Sequence, residues 1–315
     1  MLRALRLQTF LLLATLVASE LILRIFQPDY LEMPTSEFAL QFRPDPELGW
    51  LGDRAPVHNS LGLRDIELEP ASKPAILFLG DSMVWGIGVE RRERFTDLLR
   101  SRLPDFALVN AGLSGYGTDQ EYLLLKKLWD RIRPDVVMLV VCVQNDRNDN
   151  SANLRYEAYK PYFEIAPDGR GAFRGQPVPL SRQVYFKHNW LAENFWLVRF
   201  AISAYVELRH PRVRVPDPTE RLLEMVQDFV RDHGATFLVG LTIHDAKLEA
   251  FLRRRNIPFS VFQGAGVIAD LGGVKDTLHW SPQGHASVAD RTLQLLTDTG
   301  VLTLPERRPR SSALQ

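Results

Sequence analysis

The chain has 315 residues, 45% of them hydrophobic, with 38 Lys+Arg against 38 Asp+Glu for a formal charge of zero. That balance supplies neither the basic surplus of a nucleic-acid binder nor the acidic surplus of a solvated tail, and the apolar fraction is ample for a packed core. The length suits one α/β core carrying insertions. Cys142, the single cysteine, excludes an intrachain disulfide; within the apolar run Val136–Val143 it reads as a small buried hydrophobe rather than a nucleophile.

Arg3 and Arg6 precede a largely apolar stretch from Leu7 to Phe26. As a helix, that stretch would rise about 30 Å, the thickness of a hydrocarbon core. Its most apolar part, Phe10 to Ala18, is signal-peptide sized, but Val17-Ala18-Ser19 matches a small-x-small cleavage site poorly. An uncleaved signal anchor over 1–26 is therefore favoured over a secreted, cleaved product. Glu20 is tolerable only near an interface. Arg3 and Arg6 before the span, with Asp29, Glu32 and Glu37 after it, put the N-terminus in the cytosol and the rest outside, in the periplasm of a Gram-negative cell. The alternative is a buried amphipathic helix of a cytosolic protein.

Residues 27–74 are rich in proline (Pro28, Pro34, Pro44, Pro46, Pro56, Pro70, Pro74) and read as an extended arm, with Leu48-Gly49-Trp50 and Asn59–Arg64 able to pack back on the core. From 75 to 300, strands alternate with helices. Ala75–Leu79 is an apolar strand, Arg94–Leu103 an amphipathic helix and Ala107–Val109 a strand. Asp119–Ile132 is a helix, Asp135–Val143 a strand, Thr219–Asp232 a helix and Thr236–Leu241 a strand. Asp245–Arg254 is a helix, Pro258–Phe262 a strand and Gly284–Thr297 the last helix. Continuous apolar strands separated by helices predict a parallel sheet covered on both faces. Residues 147–216 interrupt the alternation with aromatic side chains such as Tyr156, Tyr162, Trp190 and Trp196. An insertion leaving a strand end would overlie the edge where open α/β sheets bind ligands, so it reads as a substrate lid, with a packing subdomain as the alternative. Residues 301–315 read as a disordered tail.

Three segments carry the chemistry. Gly80-Asp81-Ser82 ends the first apolar strand, so the Ser82 hydroxyl emerges at the sheet's C-terminal edge. A serine hydroxyl needs a base within hydrogen-bond reach; His279 is the best candidate, and Asp276, three residues earlier, can fix its tautomer. Acyl transfer also needs donors aimed at the developing oxyanion. The N–H groups of Ser82 and Gly115 and the side-chain amide of Asn145 all sit on strand-end loops of one edge. Asp81 is assigned to structure, binding loop N–H groups.

Gly80-Asp81-Ser82, Asn110-Ala111-Gly112-Leu113-Ser114-Gly115, Asn145-Asp146 and Asp276-Thr277-Leu278-His279 resemble, in order, the four blocks of the SGNH/GDSL hydrolases. The resemblance covers roughly 75–145 and 235–298. It implies a three-layer α/β/α, flavodoxin-like fold and metal-free, cofactor-free ester hydrolysis, with Ser82, Asp276 and His279 as triad and Ser82, Gly115 and Asn145 as oxyanion hole. Gln144 departs from the family's glycine and is expected to add bulk beside that hole.

The expectation is thus a membrane-anchored serine esterase acting on O-acetyl or short-chain acyl esters, including esters on carbohydrate. An O-acyltransferase modifying an exported polysaccharide with the same residues is the alternative; a non-catalytic glycan-binding module is the third. Asp146-Arg147-Asn148-Asp149-Asn150 only partly imitates a calcium loop, because Ser151 stands where glycine is required. His285 follows Gly284 at a helix start, so capping or packing is a better reading for it than zinc.

Overall fold

In the computed structural model, which describes residues 2–33, 41–53, 57–68, 73–268, 270–271, 274–276 and 278–303, the first apolar run forms helix α1 (Leu2–Phe26). Its 25 residues make it, among the described residues, the one helix long and apolar enough to cross a membrane. Residues 2–18 are exposed throughout, whereas Ser19, Glu20 and Leu23 are partly covered.

Strands β1 (Phe42–Asp45) and β2 (Gly49–Gly52) pair as an antiparallel hairpin. Phe42, Leu48, Trp50, Leu51 and Leu63 are buried in the main core, so this part of the expected arm is folded onto the protein rather than extended. Asn59 shapes the following turn: its Oδ1 accepts from the N–H groups of Leu61 and Leu63 at 3.0 and 3.1 Å. Pro34, Pro56 and Pro70 lie outside the described residues.

The central strands are β3 (Ala75–Gly80), β4 (Ala107–Gly112) and β5 (Val136–Val141). The insertion contributes β6 (Leu154–Arg155), β7 (Ala158–Tyr159), β8 (Tyr162–Ile165) and β9 (Gly171–Arg174), before β10 (Thr236–Leu241) and β11 (Phe259–Val261) return to the centre. The helices after α1 are α2 (Ser82–Trp85), α3 (Phe95–Arg102), α4 (Thr118–Ile132), α5 (Asp146–Asn150), α6 (Arg182–Phe186), α7 (Trp190–Asn194), α8 (Trp196–Arg209), α9 (Thr219–Asp232), α10 (Ala246–Arg254) and α11 (Pro282–Asp298).

Five strands form one parallel sheet in the order β11-β10-β5-β3-β4. Counted along the sheet, this is the flavodoxin-like order, whose direction reverses between β3 and β5. Leu77 and Leu79 of β3 join the core under α4, α9 and α10, while Ile76 and Phe78 join the core under α3 and α11. Six consecutive buried residues on β3 therefore stabilise both faces at once; Phe78→Ala would cost about 3–5 kcal/mol by the usual scale of such truncations.

The predicted elements fall close to the observed ones, and Thr219–Asp232 and Thr236–Leu241 coincide with α9 and β10. Asp245 is the N-cap of α10, its Oδ1 accepting from Leu248 N–H at 2.8 Å. Val301–Thr303 makes a turn of 3-10 helix with Val301 buried against α11, so order extends three residues into the expected tail. Residues 304–315 lie outside the described residues.

His285 is buried in α11 with its Nδ1 accepting from Phe95 N–H at 3.3 Å and its ring stacked on Phe95. Burial, and then the nearby Arg94 and Arg64, push its pKa down from 6.5 to about 3. The unfolded chain would take a proton at this position below 6.5 and the folded chain would not. The contribution is therefore fully present above 6.5 and is lost as pH falls toward 3, at up to about 1.4 kcal/mol per pH unit. Urea midpoints measured between pH 7.5 and pH 5 should fall more steeply for the natural protein than for His285→Gln. Parallel slopes would mean that the folded protein protonates His285.

Candidate active site

Ser82 opens α2 directly after β3, and the turn is made possible by Gly80: a Cβ there would lie 2.3 Å from Val84 Cγ2. Asp81 is the N-cap, its Oδ1 accepting from Met83 N–H at 2.9 Å. Ser82 N–H is one of the first-turn donors that have no acceptor inside their own helix. Arg64, from the folded arm, clamps the far end of this turn through the carbonyls of Trp85 (3.0 Å), Gly86 (2.5 Å) and Val89 (2.8 Å).

The Ser82 hydroxyl lies 2.9 Å from His279 Nε2, and His279 Nδ1 lies 2.7 Å from Asp276 Oδ2. The other Asp276 oxygen accepts from the N–H groups of Leu278 (2.8 Å) and His279 (3.2 Å). Burial alone would raise the Asp276 pKa; these hydrogen bonds and the His279 ring outweigh it and bring the carboxyl below its usual range. Ser82, His279 and Asp276 thus form one continuous chain of hydrogen bonds.

Asn145 follows β5 and turns its Nδ2 to Asp81 Oδ2 at 3.1 Å, while its buried Oδ1 has no hydrogen-bond partner among the described residues. The loop after β4 is tied to the end of β3 by Leu113 N–H on Gly80 O at 2.9 Å. In that loop Gly115 has φ of +79°, and a Cβ there would lie 2.5 Å from Tyr156 Cε2 and 3.4 Å from Trp50 Cζ2. Gly115 is required twice over, by its backbone conformation and by two aromatic neighbours. Gln144, beside Asn145, is held by Thr242, whose Oγ1 donates to its Oε1 at 2.5 Å.

Two neighbours of the site come from the insertion and from the arm, and the sequence assigned neither to the site individually. Tyr156, at the tip of the β6–β7 hairpin, has φ of +49° and lies under the Arg155 guanidinium at 4.2 Å. Trp50 donates its Nε1–H to Ser114 O at 3.1 Å and accepts at its own carbonyl from the Tyr116 hydroxyl. The Leu48-Gly49-Trp50 segment was a packing signal in the sequence. Tyr156 was one of several aromatic residues of the expected lid, and nothing singled it out, since left-handed backbone is usually announced by glycine or asparagine.

Beneath the site lies a buried acidic group. Burial pushes the carboxyls of Glu121 and Asp146 well up, reinforced for Glu121 by Asp81, Asp119 and Asp149 and for Asp146 by Glu121, Asp81 and Asp149. Asp149 is raised to about 6 by burial. Asp119 is held by the buried Lys160 at 2.5 Å. Asp81, Cys142 and Asp146 offer ligand atoms within 4.8 Å of one another, but Asp81 caps α2, Asp146 accepts from Cys142 N–H at 2.8 Å, and burial pushes the thiol well up. A protonated thiol is a poor metal ligand. The residues of the calcium-like segment form helix α5 instead of a loop.

The insertion divides in two. Its β6–β7 hairpin reaches Gly115, while α8 packs against α1 and α7 packs on α8; Leu23 shares one apolar cluster with Phe186, Ala192, Trp196 and Ile202.

A parallel sheet in this order, with Ser82 and Asn145 leaving the two strands that flank its switch point, is a flavodoxin-like α/β arrangement with helices on both faces. No family model matches the sequence, and neither does any curated protein. Among solved structures the chain is similar to a G-D-S-L lipolytic family member from Veillonella parvula (14% identity, TM-score 0.41, covering 71% of this chain and 98% of that one). It is similar also to the psychrotrophic esterase EstA from a Pseudoalteromonas species (13%, TM-score 0.42, 73% and 100%). A two-domain esterase active on acetylated mannans aligns at 16% identity and TM-score 0.41, over 77% of this chain and 53% of that one.

Proposed function

We propose that the protein is a serine esterase of the SGNH type, anchored by α1, that hydrolyses O-acetyl or other short-chain acyl esters. The observation that carries this is the run from Ser82 Oγ to His279 Nε2 at 2.9 Å and from His279 Nδ1 to Asp276 at 2.7 Å. Ser82 Oγ attacks the ester carbonyl while its proton passes to His279, and Asp276 stabilises the resulting imidazolium. The N–H groups of Ser82 and Gly115 and the Asn145 amide meet the oxyanion. His279 then protonates the departing alkoxide, leaving an acyl-Ser82 that water, deprotonated by His279, hydrolyses. Short acyl groups are favoured because Tyr156 and Trp50 crowd Gly115. Arg3 and Arg6 in the first two turns of α1, before its apolar run, favour a catalytic domain outside the cytosol.

A fluorophosphonate should label Ser82 covalently, and a panel of acyl esters and acetylated sugars should give hydrolysis that declines with acyl length. Labelling without turnover on any ester, but with acetyl transfer to an oligosaccharide, would move the assignment to the transferase. No labelling at all would leave only a binding role. Alkaline phosphatase fused after residue 315 should be active in cells; a silent fusion would put the domain in the cytosol.

A further inference from the structure

We propose that the protein is not tethered loosely to the bilayer but seated on it, with α7 and the first half of α8 resting in the lipid–water interface beside α1. This rests on α1 being a membrane span. The exposed surface is unevenly apolar: of the 14 exposed large hydrophobic side chains outside α1 among the described residues, nine lie between Leu180 and Leu208. Trp190 (66% exposed) and Leu191 (50%) belong to α7, Phe195 (39%) joins α7 to α8, and Phe200 (44%) belongs to α8, the helix that packs on α1. Contiguous apolar surface of this kind marks an interaction site, and tryptophan is the side chain most suited to the headgroup level.

The occupant follows from where α1 docks. Both Glu20 oxygens accept from the first N–H groups of α8, at 3.2 Å from Trp196 and 2.8 Å from Leu197. Arg24 pairs with Glu20 at 2.7 Å and donates to Asn194 O at 2.5 Å, while Arg199 of α8 donates to Leu31 O at 3.2 Å. The acid that would be costly in hydrocarbon is thus the cap of another helix, and it fixes the level at which α1 leaves the lipid. Below it, residues 2–18 are bare and rise about 26 Å at 1.5 Å per residue, with Arg3 and Arg6 in the first two turns reaching back to the far headgroups. At that level α1 exposes Ile22, Ile25 and Phe26 on the faces that the insertion leaves uncovered. These residues and the α7–α8 group continue the lipid-facing surface of the span, so a bilayer is the partner that covers both.

The test uses the full chain in phosphatidylcholine–phosphatidylglycerol vesicles, with one nitroxide each at Leu12→Cys, Leu191→Cys and Asp298→Cys; Cys142 is buried and stays unlabelled. Collision rates are measured with oxygen, which concentrates in lipid, and with a water-soluble nickel chelate. The oxygen-to-nickel ratio should be highest at Leu12, several-fold above Asp298 at Leu191, and lowest at Asp298. A lipid value at Leu12 with a water value at Leu191 overturns the seating and leaves the anchor standing. Shielding of Leu191 from both reagents overturns it too, since a protein would then cover the face. A water value at Leu12 removes the span itself, and the seating with it.

Discussion

Ser82→Ala should lose about a millionfold in kcat, the scale on which a nucleophile and its base act as a unit, while keeping its thermal midpoint. The chemical loss is total because no second hydroxyl occupies the end of the hydrogen-bond chain from Asp276 through His279. The structural loss is small because Ser82 Oγ makes one short contact, 2.9 Å to His279, and one long one, 3.4 Å to Asp81. Alanine is also a good first residue for a helix. Progress curves on a short-chain ester and a melting curve decide it: retention of more than a few per cent of activity with an intact fold would remove Ser82 as nucleophile.

Asn145→Ala should lower kcat by about 10²–10³, the loss seen when one oxyanion donor is deleted, with a much smaller change in KM. The side chain holds Asp81 through one amide hydrogen, at 3.1 Å, and has a second to offer the substrate. Because Asp81 is itself the cap of α2, the competing view is that Asn145 only steadies that turn. A rise in KM with kcat preserved, or a lowered melting point that accounts for the lost activity, would assign Asn145 to the turn instead.

The central sheet was legible because its strands are buried on both faces and read as unbroken apolar runs, while α9 and α10 carry one apolar stripe each. The spacing of Asp276 and His279 was legible for a local reason, since three residues suffice to fold the ring onto the carboxylate. The insertion was not. Its aromatic residues serve two different surfaces, Tyr156 beside Gly115 and Trp196 beside α1, and composition alone cannot separate them. Glu20 looked like a liability of the apolar run; its partners, the N–H groups of α8, lie 176 and 177 residues further along. The Arg64 clamp was hidden likewise, because its acceptors are backbone carbonyls that leave no trace in side-chain chemistry.

Ser82 and His279 are 197 residues apart, and the hydrogen bond between them closes only when the segment leading into α11 settles on the sheet edge. Loop closure over such a separation is slow relative to local structure, so β3 and α2 are in place long before their base arrives. With Ser82 as the proposed nucleophile, a nascent chain would carry an inert serine for most of its synthesis and gain a reactive hydroxyl only in the finished fold. A ribosomal stall or proteolytic trim ahead of His279 would leave most of the sheet strands without the partner that Ser82 needs in the proposed reaction.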